Sequence, residues 1–512
     1  MRLLLALLVL FLTTPAQAKW LRADSKHFTI YSSGSAKELE KFVVNLERFD
    51  AVLRLTFKVE AEGNPNRMTI YFLNDQDDVA RLMGDKSGMT AGWYSPQLDG
   101  SYAVSMRSKA DSMWELDGMT VLFHEYAHHF MFRNFTFAYP PWYVEGFAEF
   151  VSTAKFEADG SFALGRPAYH RAYGLIETAK LPLSEVLLRD PAKKRTSAEV
   201  ESFYGRSWLL VHMLSTKPEY KGQLSAYLAA LKAGKSDAEA AQIFGDFKTL
   251  DKALNTYIGA RMTYFTSKTP IQADLTMTLR ELDAIDGALI PFELKRRHAT
   301  VDTKSLGGLR ALAASASGRA NVWYELALAE RQLTNGAQEA ERKAGEAAAE
   351  VAVDKALAAD PDHVLANVLK SDILMERLVE SHDDAPAHWK NARAYLVRAN
   401  ARANDEPQAL YGWYRSFLMQ GKAPPQNAQD ALARAFELEP EVVELRVPYA
   451  FVLANNGKYD EAIRLVDFLA RDPHSGEMGV KLVAQLKAMR DGKPVPDDAE
   501  DSKSPEAGSS HR

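Results

Sequence analysis

Proline closes three successive helix-like runs in the second half of the chain at a fixed interval. ARANDEP ends at Pro407, ARAFELEP at Pro440 and VDFLARDP at Pro473, so the spacing is 33 residues each time. A fourth run of this kind, VDKALAADP, ends at Pro361. A unit of that length holds two helices and their turns, and it cannot bury its apolar face alone. Stacked helical pairs are therefore expected over 319–490, with the Ala and Leu stripes as their core. The longer interval of 46 residues from Pro361 to Pro407 predicts an insertion around VESHDDAPAH.

The clearest copy of the unit is VLANNGKYDEAIRLVDFLARDP. It resembles the tetratricopeptide consensus at Gly457, Tyr459, Ala462 and Pro473. The resemblance implies an all-α solenoid that engages a protein partner. Beyond it, residues 491–512 are rich in Pro, Ser, Asp and Gly, a composition expected to be disordered.

The chain opens with MRLLLALLVLFLTTPAQA, which has one basic residue at Arg2, an apolar run over 3–12 and the small-x-small ending Ala16-Gln17-Ala18. These are the features of a secretory signal peptide over 1–18, cleaved after Ala18. The run falls well short of the ~20 residues that span a bilayer, and no later stretch is longer, so no membrane span is expected in the mature chain. None of the 512 residues is cysteine, which excludes both a disulfide framework and a lipid-bearing cysteine. A free exported protein is expected, periplasmic or secreted. The net charge of -6 leaves no basic surplus for phosphates, so nucleic acid is not an expected partner.

Between these ends, HFTIYSS (27–33) and MTIYFLN (68–74) read as strands, with AKELEKFVVNLERFDAVLRLTF as an amphipathic helix between them. SYAVSMR (101–107) reads as a third strand and as the sheet edge on which an extended substrate backbone would pair. From about 113 to 261 helical periodicity dominates, broken by Pro140-Pro141 and by a hairpin turn at Asp159-Gly160. The segment 266–318 reads as a linker, SKTPIQAD, followed by a stretch with no clear pattern.

Chemistry concentrates in FHEYAHHF. On an α-helix, His124 and His128 lie four residues apart on one face, about 6 Å along the axis, so both rings can aim a nitrogen at one point. Glu125 stands about 100° round the helix, within reach of a water held at that point without being a ligand itself. A catalytic zinc takes three protein ligands and keeps one position open, so a third donor is needed. Glu145, in PPWYVEGFAEFV, is the expected third ligand. Sixteen residues separate it from His128, enough for the first helix to end and a second to return. Glu149, one turn further, is placed to accept the N–H of a ligating imidazole. His129 points about 100° away from His128 and reads as a core or surface residue. Trp93, Tyr94, Trp142 and Tyr143 read as packing aromatics.

HEYAH followed by WYVEGFAEF resembles the gluzincin metallopeptidases, and within them the peptidase MA-like family. The likeness runs on into SFYGRSWLLVHML and SDAEAAQIFG and covers roughly 113–258. It implies an α+β, thermolysin-like zincin domain over 19–265, with a small sheet lobe and a helical lobe, one Zn(2+), and hydrolysis of a peptide or protein substrate. It also implies that Tyr204 stabilises the oxyanion. The G-x-M-E-N segment of gluzincin aminopeptidases has no counterpart in GWYSPQLDGSYAVSMR, which favours endopeptidase action. The rival expectation is a binding scaffold in which the repeats do the work and the metal module is inactive or structural. A non-peptide bond as substrate is compatible with the same residues.

Overall fold

A computed structural model describes residues 19–60, 66–86, 88, 90–109, 112, 114–135, 139–188, 193–471 and 476–493. The expected leader (1–18), Pro473 and the tail from 494 onward lie outside the described residues. The molecule is an α+β protein with a six-stranded sheet, a three-stranded one and many helices, and from Ala284 onward its described elements are helices.

Strands β1 (Leu21–Asp24), β2 (Phe28–Ser32), β3 (Met68–Leu73), β4 (Trp93–Ser95) and β5 (Tyr102–Met106) lie in the order β4-β5-β3-β2-β1. β2, β3 and β5 run parallel, and helices α1 (Ala36–Phe57) and α2 (Gln76–Met83) lie in the chain between them. α1 begins at a capping box between Ser35 and Glu38, which satisfies two orphan N–H groups, and stops at Lys58 in the left-handed region at φ 55. Strand residues alternate between two cores. Phe28, Ile30, Ile70, Phe72 and Ala103 pack with Leu39, Val43 and Leu46 of α1, while Tyr71, Tyr102, Val104 and Met106 pack with Val79 of α2 on the other face. Each large apolar side chain removed from water in this way contributes about 1.5–3 kcal/mol.

SYAVSMR is not the sheet edge. β5 pairs with β3 on one side and β4 on the other, and all five of its residues are buried. The edge is β4. Its three residues, Trp93-Tyr94-Ser95, are too few to show an alternating pattern in the sequence.

Helices α3 (Gly118–Asn134) and α4 (Pro141–Ser152) follow, then the expected hairpin β6 (Lys155–Phe156) and β7 (Phe162–Leu164). Helices α5 (Leu183–Leu187), α6 (Ser197–Thr216), α7 (Gln223–Lys232), α8 (Asp237–Ala241) and α9 (Phe247–Tyr257) complete this part. The segment 266–318 is no simple linker. β8 (Phe265–Ser267) adds to β7, β9 (Thr278–Glu281) pairs with β1, and α10 (Ala284–Arg297) and α11 (Thr303–Ser315) follow. Ile290 and Leu294 of α10 pack with the second face of the sheet. Within the segment, 268–277 is without helix or strand. β9 had no readable pattern because all four of its residues are exposed, so nothing forced an apolar alternation.

The remaining helices pack as sequential pairs: α12 (Ala320–Thr334) with α13 (Glu339–Ala359), α14 (Val364–Glu380) with α15 (Pro386–Arg402), α16 (Pro407–Met419) with α17 (Gln426–Leu438), and α18 (Val443–Asn455) with α19 (Tyr459–Arg471). α20 (Gly476–Arg490) ends the array. Small residues such as Ala356, Ala392, Ala435 and Ala462 are buried in it, as the stripes require. The insertion around VESHDDAPAH is corrected. Only 381–385 separates α14 from α15, and these helices are 17 residues each where the later four have 13, so longer helices account for eight of the thirteen extra residues and the placing of Pro407 for most of the rest. Pro407 opens α16 at its first turn, where a missing N–H costs nothing, and does not close α15.

Candidate metal centre

The centre is built by α3, α4 and the turn that follows β7. α3 is fixed at its start by Asp117, whose side chain accepts from the N–H groups of Met119 and Thr120. Gly118 starts the helix hard against β5, since a Cβ there would sit 1.8 Å from the Met106 carbonyl oxygen. α4 opens with Pro141 in its first turn. Gly146 presses α4 onto α6, where a Cβ would meet the Ser207 carbonyl oxygen at 2.4 Å. The glycine of the E-G-x-A segment is thus a packing necessity, and it holds the neighbouring Glu145 at a fixed depth.

His124, His128 and Glu145 converge. The two Nε2 atoms are 3.1 Å apart, and Glu145 Oε2 lies 3.5 Å from that of His124 and 3.6 Å from that of His128. A tetrahedral zinc bonded to nitrogen and oxygen at ~2.0–2.2 Å separates its ligands by roughly 3.3–3.6 Å. The three atoms therefore already form one face of such a tetrahedron. Glu145 Oε2 is buried without a hydrogen-bond partner among the described residues, an expensive condition unless a cation meets it. Two imidazoles and a carboxylate are also the donor set that zinc prefers.

Glu149 is where the sequence places it. Its Oε1 is 3.3 Å from His124 Nδ1, the ring nitrogen turned away from the centre. Two further partners hold this carboxylate that the sequence did not reveal: His170 Nε2 at 2.9 Å from Oε2, and Arg171, whose Nε donates to Oε1 at 2.9 Å alongside a second guanidinium contact. The Arg171 guanidinium also lies over the Tyr204 ring, 4.9 Å from its centroid. Both partners come from a short turn, Tyr169–Arg171, in a stretch without periodicity. Only the tertiary fold brings them to Glu149.

Electrostatics follow from three carboxylates sharing one site, Glu149 buried and Glu125 and Glu145 partly so. Burial pushes Glu125 up to about 7, with Glu145 and Glu149 adding to the shift and His124 and the Tyr94 main chain opposing it. Burial likewise takes His128 down to about 4, a neutral imidazole free to ligate. Burial also works against a charged His124, but Glu149 and Glu145 outweigh it and raise that ring to about 10. A cation arriving at the centre must therefore displace a proton from His124. Tyr204 stands close enough for Glu145 to be the main cause of its raised pKa, so its phenol keeps its proton and remains a donor.

Of the remaining residues, His129 is buried with Nδ1 3.1 Å from the Tyr94 hydroxyl. Trp142 and Tyr143 are buried as expected, whereas Trp93 and Tyr94 are half-buried on the edge strand. A second cluster of ligand type, His27, Glu47 and Asp50, lines a surface cavity of about 500 Å³. Its carboxylates are already engaged: Glu47 by the N–H and Nδ1 of His27, and Asp50 by Arg54 at 2.7 Å and the Tyr126 hydroxyl at 2.6 Å. That network fastens α1 to α3, and the Arg54 cation stands where a metal would compete.

No family model matches the sequence, and no curated protein matches it. Among solved structures, one titled "MamA RS-1 ArsTM double mutant" is similar over 41% of this chain and 99% of that chain, at 16% identity and a TM-score of 0.26. A likeness at that score carries no argument about this protein.

Proposed function

We propose that the chain is a zinc-dependent metallopeptidase of the gluzincin, peptidase MA-like kind, acting as an endopeptidase on a peptide or protein substrate. In this reading its sheet and first helices form a thermolysin-like domain and its later helices a tetratricopeptide solenoid. The leader exports it to the periplasm or beyond the cell. What carries the reading is the convergence of His124, His128 and Glu145 at 3.1–3.6 Å with Glu125 beside them on the same helix.

His124, His128 and Glu145 would hold the ion, which when bound supplies Lewis-acid polarisation and acidifies a water. Glu125 accepts a proton at its carboxylate from the attacking water and returns it to the leaving amine; a carboxyl tuned toward 7 by burial suits both directions. Glu149 holds the Nδ1 side of His124, so Nε2 stays aimed at the centre. Tyr204 donates its hydroxyl hydrogen to negative charge developing on the substrate oxygen. β4 is an end strand of the sheet, along which a peptide backbone can pair.

Changing Glu125 to Gln is the test. Zinc bound per chain should stay as in the wild type while cleavage of a peptide library falls by about 10²–10⁴-fold. Undiminished cleavage would refute the role given to Glu125, whereas a wild-type protein that holds zinc and cleaves nothing would favour the scaffold reading.

A further inference from the structure

The two elements that border the centre, α3 and the β4–β5 hairpin, are held by one corner of the helical array. The hairpin turn reaches into that array: Leu98 packs with the apolar cluster of α16–α20, and Asp99 is held by Arg296 and Arg297 at the end of α10, both at 3.1 Å. Ser101 Oγ, at the start of β5, donates to Glu441 Oε1 at 3.0 Å. The same carboxylate accepts from Arg133, in the last turn of α3, at 3.0 and 3.2 Å, and Arg133 also donates to the Leu438 carbonyl at 2.7 Å. Glu441 lies in the turn between α17 and α18 and is 2% exposed. One buried carboxylate therefore ties the end of the ligand-bearing helix to the hairpin whose outer strand is the sheet edge.

The link reaches the chemistry through β4. A side chain at Gly92 would run into Val121 at 2.3 Å and come within 3.4 Å of Glu125 Cγ, so the lead into β4 lies directly on the proton-accepting residue. The Tyr94 main chain hydrogen-bonds to the Glu125 carboxylate, and the Tyr94 hydroxyl meets His129 on α3. Releasing the hairpin turn shifts β4 against Glu125 without touching His124, His128 or Glu145. Charge-assisted hydrogen bonds from two elements to one desolvated acceptor make a stiff joint, and loss of that charge removes the ion pair that holds the half-buried Arg133.

We propose that Glu441 is a positioning residue for the metal centre, and that the α17–α18 corner is a docking surface for the chain's own β4–β5 turn. The array, on this view, sets the substrate-pairing edge from within the molecule. Where it concerns turnover, the proposal rests on the peptidase function above.

The test uses the full chain with Glu441→Gln, which keeps the size and removes the charge, and Ser101→Ala, which removes only the hairpin's hydrogen bond. Backbone hydrogen exchange, zinc content, kcat and KM are measured together. Glu441→Gln should speed exchange over 92–106 about tenfold, with Ser101→Ala intermediate and zinc per chain unchanged. kcat/KM for an extended peptide should fall about tenfold, mainly through KM, because the pairing edge has moved. Wild-type protection over 92–106 in both variants would overturn the proposal. So would faster exchange spread evenly over the whole chain with KM unchanged, which marks a contribution to stability alone. A wild type that holds zinc and cleaves no peptide counts against the peptidase function only, since exchange over 92–106 still decides the docking.

Discussion

A carboxylate only 1% exposed beside two others would ordinarily take up a proton, yet Glu149 does not. Burial raises its pKa, but Arg171 and then His124 outweigh that and hold it well below the usual carboxylate range. Glu149 therefore presents a full charge to His124 at any pH where the protein works. Replacing it with Gln weakens that hold, and zinc affinity should drop about 10–100-fold in a competitive chelator titration. Glu125 behaves oppositely. Its pKa is pushed up to about 7, and a proton acceptor must be charged to act, so activity is lost as pH falls through that value. A cation in the centre adds positive charge and moves the midpoint lower. The acid limb of kcat/KM should thus be centred no higher than about 7, and a rate that climbs as pH drops through this range would contradict the role. His124, Glu125 and His128 were legible from the spacing of one helix and Glu145 and Glu149 from that of a second, and zinc's need for a third donor linked the two sets. His170 and Arg171 were not, since a three-residue turn leaves no periodic trace.

At the scale of elements, the site depends on how closely helices approach. Gly146 allows α4 to lie on α6, and nothing but hydrogen fits between its Cα and the Ser207 carbonyl. Gly146→Ala should destabilise the protein by about 1–3 kcal/mol, seen as a lower denaturation midpoint, and should weaken zinc binding by moving Glu145. α1 could be read from its sequence over its whole length, 36–57, because one apolar stripe and a Ser-x-x-Glu cap coincide. β4 and β9 escaped notice because strands of three and four residues carry too little pattern, and β9 buries none of its side chains. The error over the sheet edge followed directly, since the interior strand β5 was the outermost one visible.

Taken whole, the molecule joins a sheet-bearing part to a helical array. The sheet half carries the candidate centre, and the segment after 265, read as a linker and a stretch without pattern, supplies a strand and a helix that packs with α2 on the sheet's second face. The helical array was legible in its period and in its buried alanines, but not in how it docks, because Glu441, Arg133 and Ser101 are distant in sequence and each is ordinary alone. No helix among the described residues is long and apolar enough to cross a membrane. The central claim is that one metal ion joins α3 to α4. X-ray absorption at the zinc edge of the purified full-length protein tests it most directly. It should show one zinc per chain with two imidazole nitrogens and oxygen donors at ~2.0–2.2 Å, and Glu145→Ala should lose one oxygen from that shell or the ion itself. Protein that binds no zinc, or a zinc shell unchanged in Glu145→Ala, would contradict the account.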